Sequence, residues 1–279
     1  MTHVRLSYMP LVTHPDVVPD ESVAAAVSLA SALGGVLHAV TFSVDIPPMA
    51  PPLGGILLNL AEMIRTTEEN SRAHSRRLQD LVLRQAESSI KAACTNKHLA
   101  SGLEGDAAAN EARYYDLSLL PWAKDMLVLQ DFAQAVIFAA GRPAVLVPPS
   151  ATHNPIRHIA IAWDGSRVAA RALADAMIFI DEQTQIAVLT VQGEKELNRD
   201  DIGQSLALSL KERGLRAEAQ NVSLDDRSIA QALQESALAA GANMLVMGAF
   251  GHSRIRDFIL GGATKGVFAD LRMPVLLSH

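Results

Sequence analysis

Cysteine is almost missing from this 279-residue chain: Cys94 stands alone, which allows no intramolecular disulfide and no cysteine-ligated metal cluster. Aromatic residues make up only 4%, so a core has to be built from Ala, Val, Leu and Ile. That suits α/β layers better than a β-sandwich stocked with Tyr and Trp. Positive charge is in deficit as well, with 24 Lys and Arg against 30 Asp and Glu, a formal charge of −6 and a pI near 5.8. A sequence-independent grip on nucleic acid or on an anionic membrane is thereby disfavoured. No run of about 18 apolar residues is free of charged or polar breaks. The opening MTHVRLSYMPLVTHPD lacks the basic region, apolar stretch and small-residue cleavage site of a secretory signal. The expectation is a cytoplasmic protein in a reducing compartment. Catalytic signatures are absent too. The nine histidines include no HExxH and no close i, i+4 pair, so no metal site is assigned. There is no GxxxxGK[ST] loop, and no GxGxxG follows a first strand, which disfavours P-loop NTPases and dinucleotide oxidoreductases.

What the chain does have is apolar material, 49% against 19% charged, and about twice the usual length of one domain. It also repeats itself. Phe138–Val147 reads FAAGRPAVLV and Phe268–Leu277 reads FADLRMPVLL, each a helix end, a break with Arg and Pro, then an apolar β run. The beginnings match more loosely: VRLSYM (4–9) and IRHIAIAW (156–163) are each followed by a polar break, an Ala-rich helix and a second β run, 36–42 and 186–191. Both halves are acidic, with 11 basic and 15 acidic residues before 150 and 13 and 15 after it. The boundary is Pro148–Pro155, PPSATHNP, whose prolines continue neither strand nor helix. Duplication gives two domains, 1–149 and 155–279.

The second half alternates strictly. Strands are expected at 157–163, 185–191, 216–222, 243–248 and 274–278, and helices at 167–180, 199–213, 226–240 and 263–271. Asp225 and Asp226 are candidate N-caps for the third helix and Gly241 its stop. Apolar strands alternating with helices mean a doubly wound, Rossmann-like parallel sheet covered on both faces. The first half follows the same order less regularly. A Pro/Gly-rich loop follows Phe42, then a helical stretch from 57 to 93 that is too long for one layer, so a break or a protruding tip is expected near Thr66–Ser75. Tyr115–Leu120 is its fourth strand. Cys94 is read as a small buried residue at the end of that long helix.

In an open parallel sheet, ligands bind beyond the carboxyl ends of the strands where the order reverses. In the second half that place belongs to the loops Asp164-Gly165-Ser166 and Gly248 to Arg254, the latter continuing to Gly261-Gly262-Ala263-Thr264. Glycines allow close backbone approach, and consecutive amides at a helix start cradle anions. Asp164 can accept hydrogen bonds from a ribose or base, while Gly251, Gly261 and Thr264 surround phosphate. The first half offers Leu120-Pro121-Trp122-Ala123-Lys124 instead, in which Pro121 removes an amide donor and Trp122 adds bulk. No phosphate cradle is expected there.

VMGAFGHSRIRDFILGGATKGVFADLRMPVLLSH (246–279) resembles the C-terminal region of the universal stress protein family, whose nucleotide motif is Gly, two residues, Gly, nine residues, Gly. Gly248, Gly251 and Gly261 keep that spacing, and IAWDGS resembles the family's first strand and its aspartate. The resemblance spans 156–279 and, more weakly, 1–149, a tandem arrangement with a degenerate first domain. It implies strand order 3-2-1-4-5 in each domain and ATP, with its bound magnesium, as the ligand. Adenine would meet the backbone near Val191, the nucleoside Asp164, and the phosphates the glycine loop with His252, Ser253 and Arg254. It also implies pairing of the halves through their last strands as an internal pseudo-dimer, with a homodimer of such pairs as a further option. One position departs: Gly262 stands where the family's ATP binders carry Ser, Thr or Asn, a lost hydroxyl donor costing about 0.5–1.5 kcal/mol. The function implied is a nucleotide-binding stress-response regulator rather than an enzyme. The alternatives are a slow ATPase or small-molecule hydrolase using Asp164, His252 or Ser253, and a ligand-free scaffold. More ordinary roles stand beside these: Asp164 or Ser166 as a helix cap, Gly248–Gly251 as a tight turn, and His252 as a plain loop residue.

Overall fold

The apolar runs become strands and the Ala-rich segments between them become helices in a computed structural model that describes residues 4–47, 57–151, 155–192, 201–249 and 262–279. The first half runs β1 (Leu6–Val12), α1 (Asp20–Leu33), β2 (Val36–Asp45), α2 (Leu57–Ala86), β3 (Lys91–Ala100), α3 (Glu104–Ala112), β4 (Leu117–Pro121), α4 (Leu127–Ala139), β5 (Ala144–Val147). The second runs β6 (His158–Ala162), α5 (Arg167–Ala176) with a 3₁₀ turn at Met177–Phe179, β7 (Gln185–Val191), α6 (Ile202–Glu212), β8 (Arg216–Val222), α7 (Ile229–Ala239), β9 (Met244–Gly248), α8 (Gly262–Ala269), β10 (Val275–Ser278).

The ten strands among the described residues form one sheet in the order β3-β2-β1-β4-β5-β10-β9-β6-β7-β8. Each half therefore has the order 3-2-1-4-5, and its own strands pair in parallel. The difference from two separate sheets lies at the middle, where β5 and β10 pair antiparallel through Val275–Leu146, Leu276–Val145 and Leu277–Ala144. The halves are also tied by Arg5, which donates to the carbonyls of Leu33 and Ile178 and lies 4.9 Å over the Phe179 ring. Among the described residues no helix is long and apolar enough to cross a membrane.

Two first-half expectations are corrected. The helix expected to break near Thr66–Ser75 is continuous over its 30 residues, Leu57–Ala86, about 45 Å at 1.5 Å per residue. Polarity does not break a helix that has no Gly or Pro, and here the polar residues are used. Arg65–Glu69 and Glu68–Arg72 pair one turn apart, each at 3.4 Å. Ser71 and Ser75 face inward, bonded to Thr13 Oγ1 at 2.6 Å and Thr41 Oγ1 at 2.7 Å, and Ser71 Oγ also accepts from Val44 N at 3.0 Å. These hydroxyls fasten α2 to β1 and β2. The helix also ends earlier than expected, because 91–100 is the edge strand β3. Cys94 lies on that strand, half-buried, with Sγ 3.8 Å from the Gln79 carbonyl. Burial, helped by Asp80, pushes its thiol up to about 11, so it stays protonated and weakly nucleophilic at neutral pH.

In the second half the cap of α7 is Ser228, whose Oγ accepts from Gln231 N at 3.3 Å, rather than Asp225 or Asp226. Asp225 sits in the turn before it at φ +50° and pairs with Arg227 at 3.2 Å. Gly241 does stop the helix, at φ +79°. Glu235 on α7 accepts from Gln231 (2.9 Å), Arg227 (3.0 Å) and Arg272 (2.8 Å), which binds α7 to the segment leading into β10. Those hydrogen bonds pull its carboxyl from 4.5 to about 2. A carboxyl depressed in the folded state adds stability above its unfolded value and loses it as pH falls through the folded one. Urea midpoints of the wild-type chain should therefore drop between about pH 4.5 and 2, and Glu235→Gln should flatten that part of the profile.

Candidate functional site

Gly248 ends β9, and its missing side chain is a packing requirement. A Cβ there would lie 2.6 Å from the Val168 carbonyl carbon and 2.7 Å from Ala169 N, backbone atoms of the first turn of α5. The end of β9 thus presses against the start of α5, immediately after Asp164-Gly165-Ser166. Two loops about eighty residues apart in sequence (165 to 248) are brought together at the carboxyl end of the sheet, where a doubly wound fold binds its ligands.

The first loop is a formed turn. Asp164 is exposed and its Oδ1 accepts from Ser166 N at 2.9 Å. Gly165 takes φ +73°, a conformation that favours glycine. Ser166 is the N-cap of α5, its Oγ accepting from Ala169 N at 3.2 Å. Its hydroxyl is engaged by the helix, so its nearest role is the cap. Val191 ends β7 beside this loop: Ala162 is opposite Leu189 and Trp163 N donates to Leu189 O at 2.8 Å, which puts Asp164 level with Val191. Ala249 N donates to Ser278 O at 2.8 Å, and the His279 ring contacts Ala249 O at 3.2 Å, so the departure of the chain from β9 is fixed by β10. Gly262, Ala263 and Thr264 form the first turn of α8, with Thr264 2% exposed. Gly251, His252, Ser253, Arg254 and Gly261 lie outside the described residues. Sequence reasoning passed over Trp163 and Ile202. Trp163 joins β6 to Asp164, and Ile202 Cδ1 would lie 3.9 Å from a Cβ at Gly165, so the start of α6 leans over the same loop. The signal for Trp163 was its place next to the aspartate.

Residues 155–279 match the universal stress protein family. The second half of the chain is a universal stress protein domain. The whole fold is shared with a universal stress protein of Archaeoglobus fulgidus DSM 4304, at TM-score 0.69 and 15% identity over 97% of both chains. It is shared also with a Pseudomonas aeruginosa UCBPP-PA14 protein provisionally given the same family name, at TM-score 0.56 and 14% identity over 99% of this chain and 93% of that one. No curated protein sequence matches the chain.

The backbone ladders put the first half in register with this universal stress protein domain. Ser118 N donates to Pro143 O and Trp122 N to Val147 O, as Leu245 N donates to Pro274 O and Ala249 N to Ser278 O. Pro121 therefore stands at the place of Gly248, and Trp122 at that of Ala249. Tyr8 lies opposite Ser118 and His38, as Ala160 lies opposite Leu245 and Ala187. Four residues on, Val12 falls at the place of Asp164 and Phe42 at that of Val191. Val12, Phe42 and Trp122 are 3%, 1% and 2% exposed, and the Phe42 ring meets Phe132 at 6.1 Å. The space left among Val12, Pro121, Trp122 and Phe132 is about 10 Å³, room for about one water. The wider crevice beside it, about 410 Å³ beyond β1 and β3, is lined by Glu104, Asp106 and Asp131, which repel a polyphosphate.

Proposed function

We propose that the chain is a tandem universal stress protein whose second domain, 155–279, binds ATP or a related adenine nucleotide as a cytoplasmic stress-response regulator, while its first domain, 1–149, has lost the site. The observation that supports this best is the contrast at equivalent positions. Gly248 permits the backbone approach of β9 to α5 and Asp164 stands at the mouth, whereas Pro121 and Val12 fill the same places in the first half. In this reading Asp164 meets the nucleoside, Val191 the adenine, and the amides of the first turn of α8, with Gly251, His252, Ser253, Arg254, Gly261 and Thr264, the phosphates. The fit rests on small-residue positions and amides, which suit an anion in a chain that is net negative. Such a regulator works when ATP binds one conformation or assembly better than another.

Heating the purified chain and chromatographing what it releases tests the reading directly. The expected result is an adenine nucleotide, and a melting temperature raised by added ATP. At a hundredfold excess over Kd the stabilisation is about 2.7 kcal/mol, several degrees for a chain of this size. Asp164→Ala should shrink that rise. No released nucleotide and no rise with millimolar ATP would leave the ligand-free scaffold; steady phosphate release abolished by Asp164→Asn would make the chain a slow ATPase.

A further inference from the structure

Trp122 is 2% exposed, and its ring lies 5.1 Å from that of Phe268 at a tilt of 34°. Its backbone is held from two sides, N–H to Val147 O at 2.9 Å and carbonyl from Ser22 Oγ of α1 at 2.8 Å. The first half therefore presents a fixed aromatic plate to α8 of the second. Phe268 lies one turn beyond Thr264 on the same face of α8, and both are 2% exposed. The opposite side of α8 is set by Gly266, two residues and about 200° around the helix from Phe268. A Cβ there would lie 2.5 Å from the Ala230 Cβ of α7. Held between α7 and Trp122, α8 cannot shift without losing close contact on one side.

We infer that Trp122 is a positioning residue for the nucleotide site of the other half, fixing the first turn of α8 so that the amides of Gly262 and Ala263 meet the phosphates without prior rearrangement. The inference rests on the nucleotide reading above. It gives the degenerate half a part in that site: the substitution that puts Trp at the place of Ala249 closes one cradle and braces the other. Preorganisation of this kind raises affinity by lowering the ordering cost of binding.

Titration calorimetry with Mg·ATP on the full chain tests it. Trp122→Ala should weaken binding about three- to tenfold, the scale of one aromatic pair, and Trp122→Phe, which keeps a ring against Phe268, should restore most of it. Trp122→Leu, expected to bind as weakly as the alanine variant, serves if Trp122→Ala fails to fold. In a Trp163→Phe chain Trp122 is the single indole, since the sequence has two tryptophans. Its emission should stay unmoved as ATP saturates the site, because the plate is in place before the ligand arrives. Wild-type affinity in the alanine or leucine variant, or Trp122 emission that shifts with ATP as a rearranging α8 would require, overturns the inference while leaving the nucleotide reading intact. Absence of heat in the wild-type chain, together with a melting temperature that millimolar ATP leaves unchanged, overturns both.

Discussion

A Gly248→Val chain is expected to be about 1–3 kcal/mol less stable than wild type and to release no nucleotide on heating. The new Cβ would arrive 2.6 Å from the Val168 carbonyl carbon and 2.7 Å from Ala169 N, far inside ordinary contact. Neither atom can yield as a flexible side chain would. Both belong to the first turn of α5, which Ser166 caps and which packs on β9 and β10. The strain is relieved only by parting the end of β9 from α5, which separates the Asp164 loop from the start of the glycine segment. Stability and binding therefore fall through one displacement. Urea unfolding reads the first, with the midpoint moving and the slope held if the denatured state is unchanged. An ATP titration well below the midpoint reads the second. Wild-type affinity in a folded Gly248→Val chain would place the nucleotide elsewhere.

The order of elements in the second half was legible in its residues because four of its five strands are short apolar runs, the edge strand β8 (RAEAQNV) being the exception, and each connection carries Gly, Asp or Ser. Strand β3 was not. An edge strand covered on one side tolerates KAACTNKHLA, in which exposure alternates over 91–96 but hydropathy does not, so its start reads as the tail of the helix before it. The unbroken α2 was hidden for a related reason: Ser71 and Ser75 look like solvent residues until Thr13 and Thr41 are known to lie beneath them. At the site, Gly248, Pro121 and Trp122 announced themselves as residues whose backbone or bulk changes what a loop can do. Val12 and Phe42 did not, since they are ordinary strand residues until the sheet register sets them against Asp164 and Val191. A loop's chemistry is local in sequence, whereas the filling of a crevice is a property of neighbouring strands.

Leu276→Asp should unfold both halves together, at a cost of about 3–5 kcal/mol for an uncompensated buried charge. Leu276 is 0% exposed on β10, opposite Val145 of β5 on one side and Val246 of β9 on the other. No water reaches it, and its neighbours offer no cation. The buried core runs as one cluster from Tyr8 in the first half to Leu277 in the second, and β10 lies in the middle of it. Wild-type unfolding in urea should accordingly be one transition, with far-UV circular dichroism and tryptophan fluorescence coincident. In Leu276→Asp both signals should move together to lower urea. Were the halves independent units merely strung in line, the second-half signal alone would move. On the proposed reading, a single transition would also account for a first half without a cradle of its own. If the ten-stranded sheet melts as one body, the strands that lost the site still contribute the surface on which β10 and α8 are held, and a ligand bound in one half stabilises the whole chain.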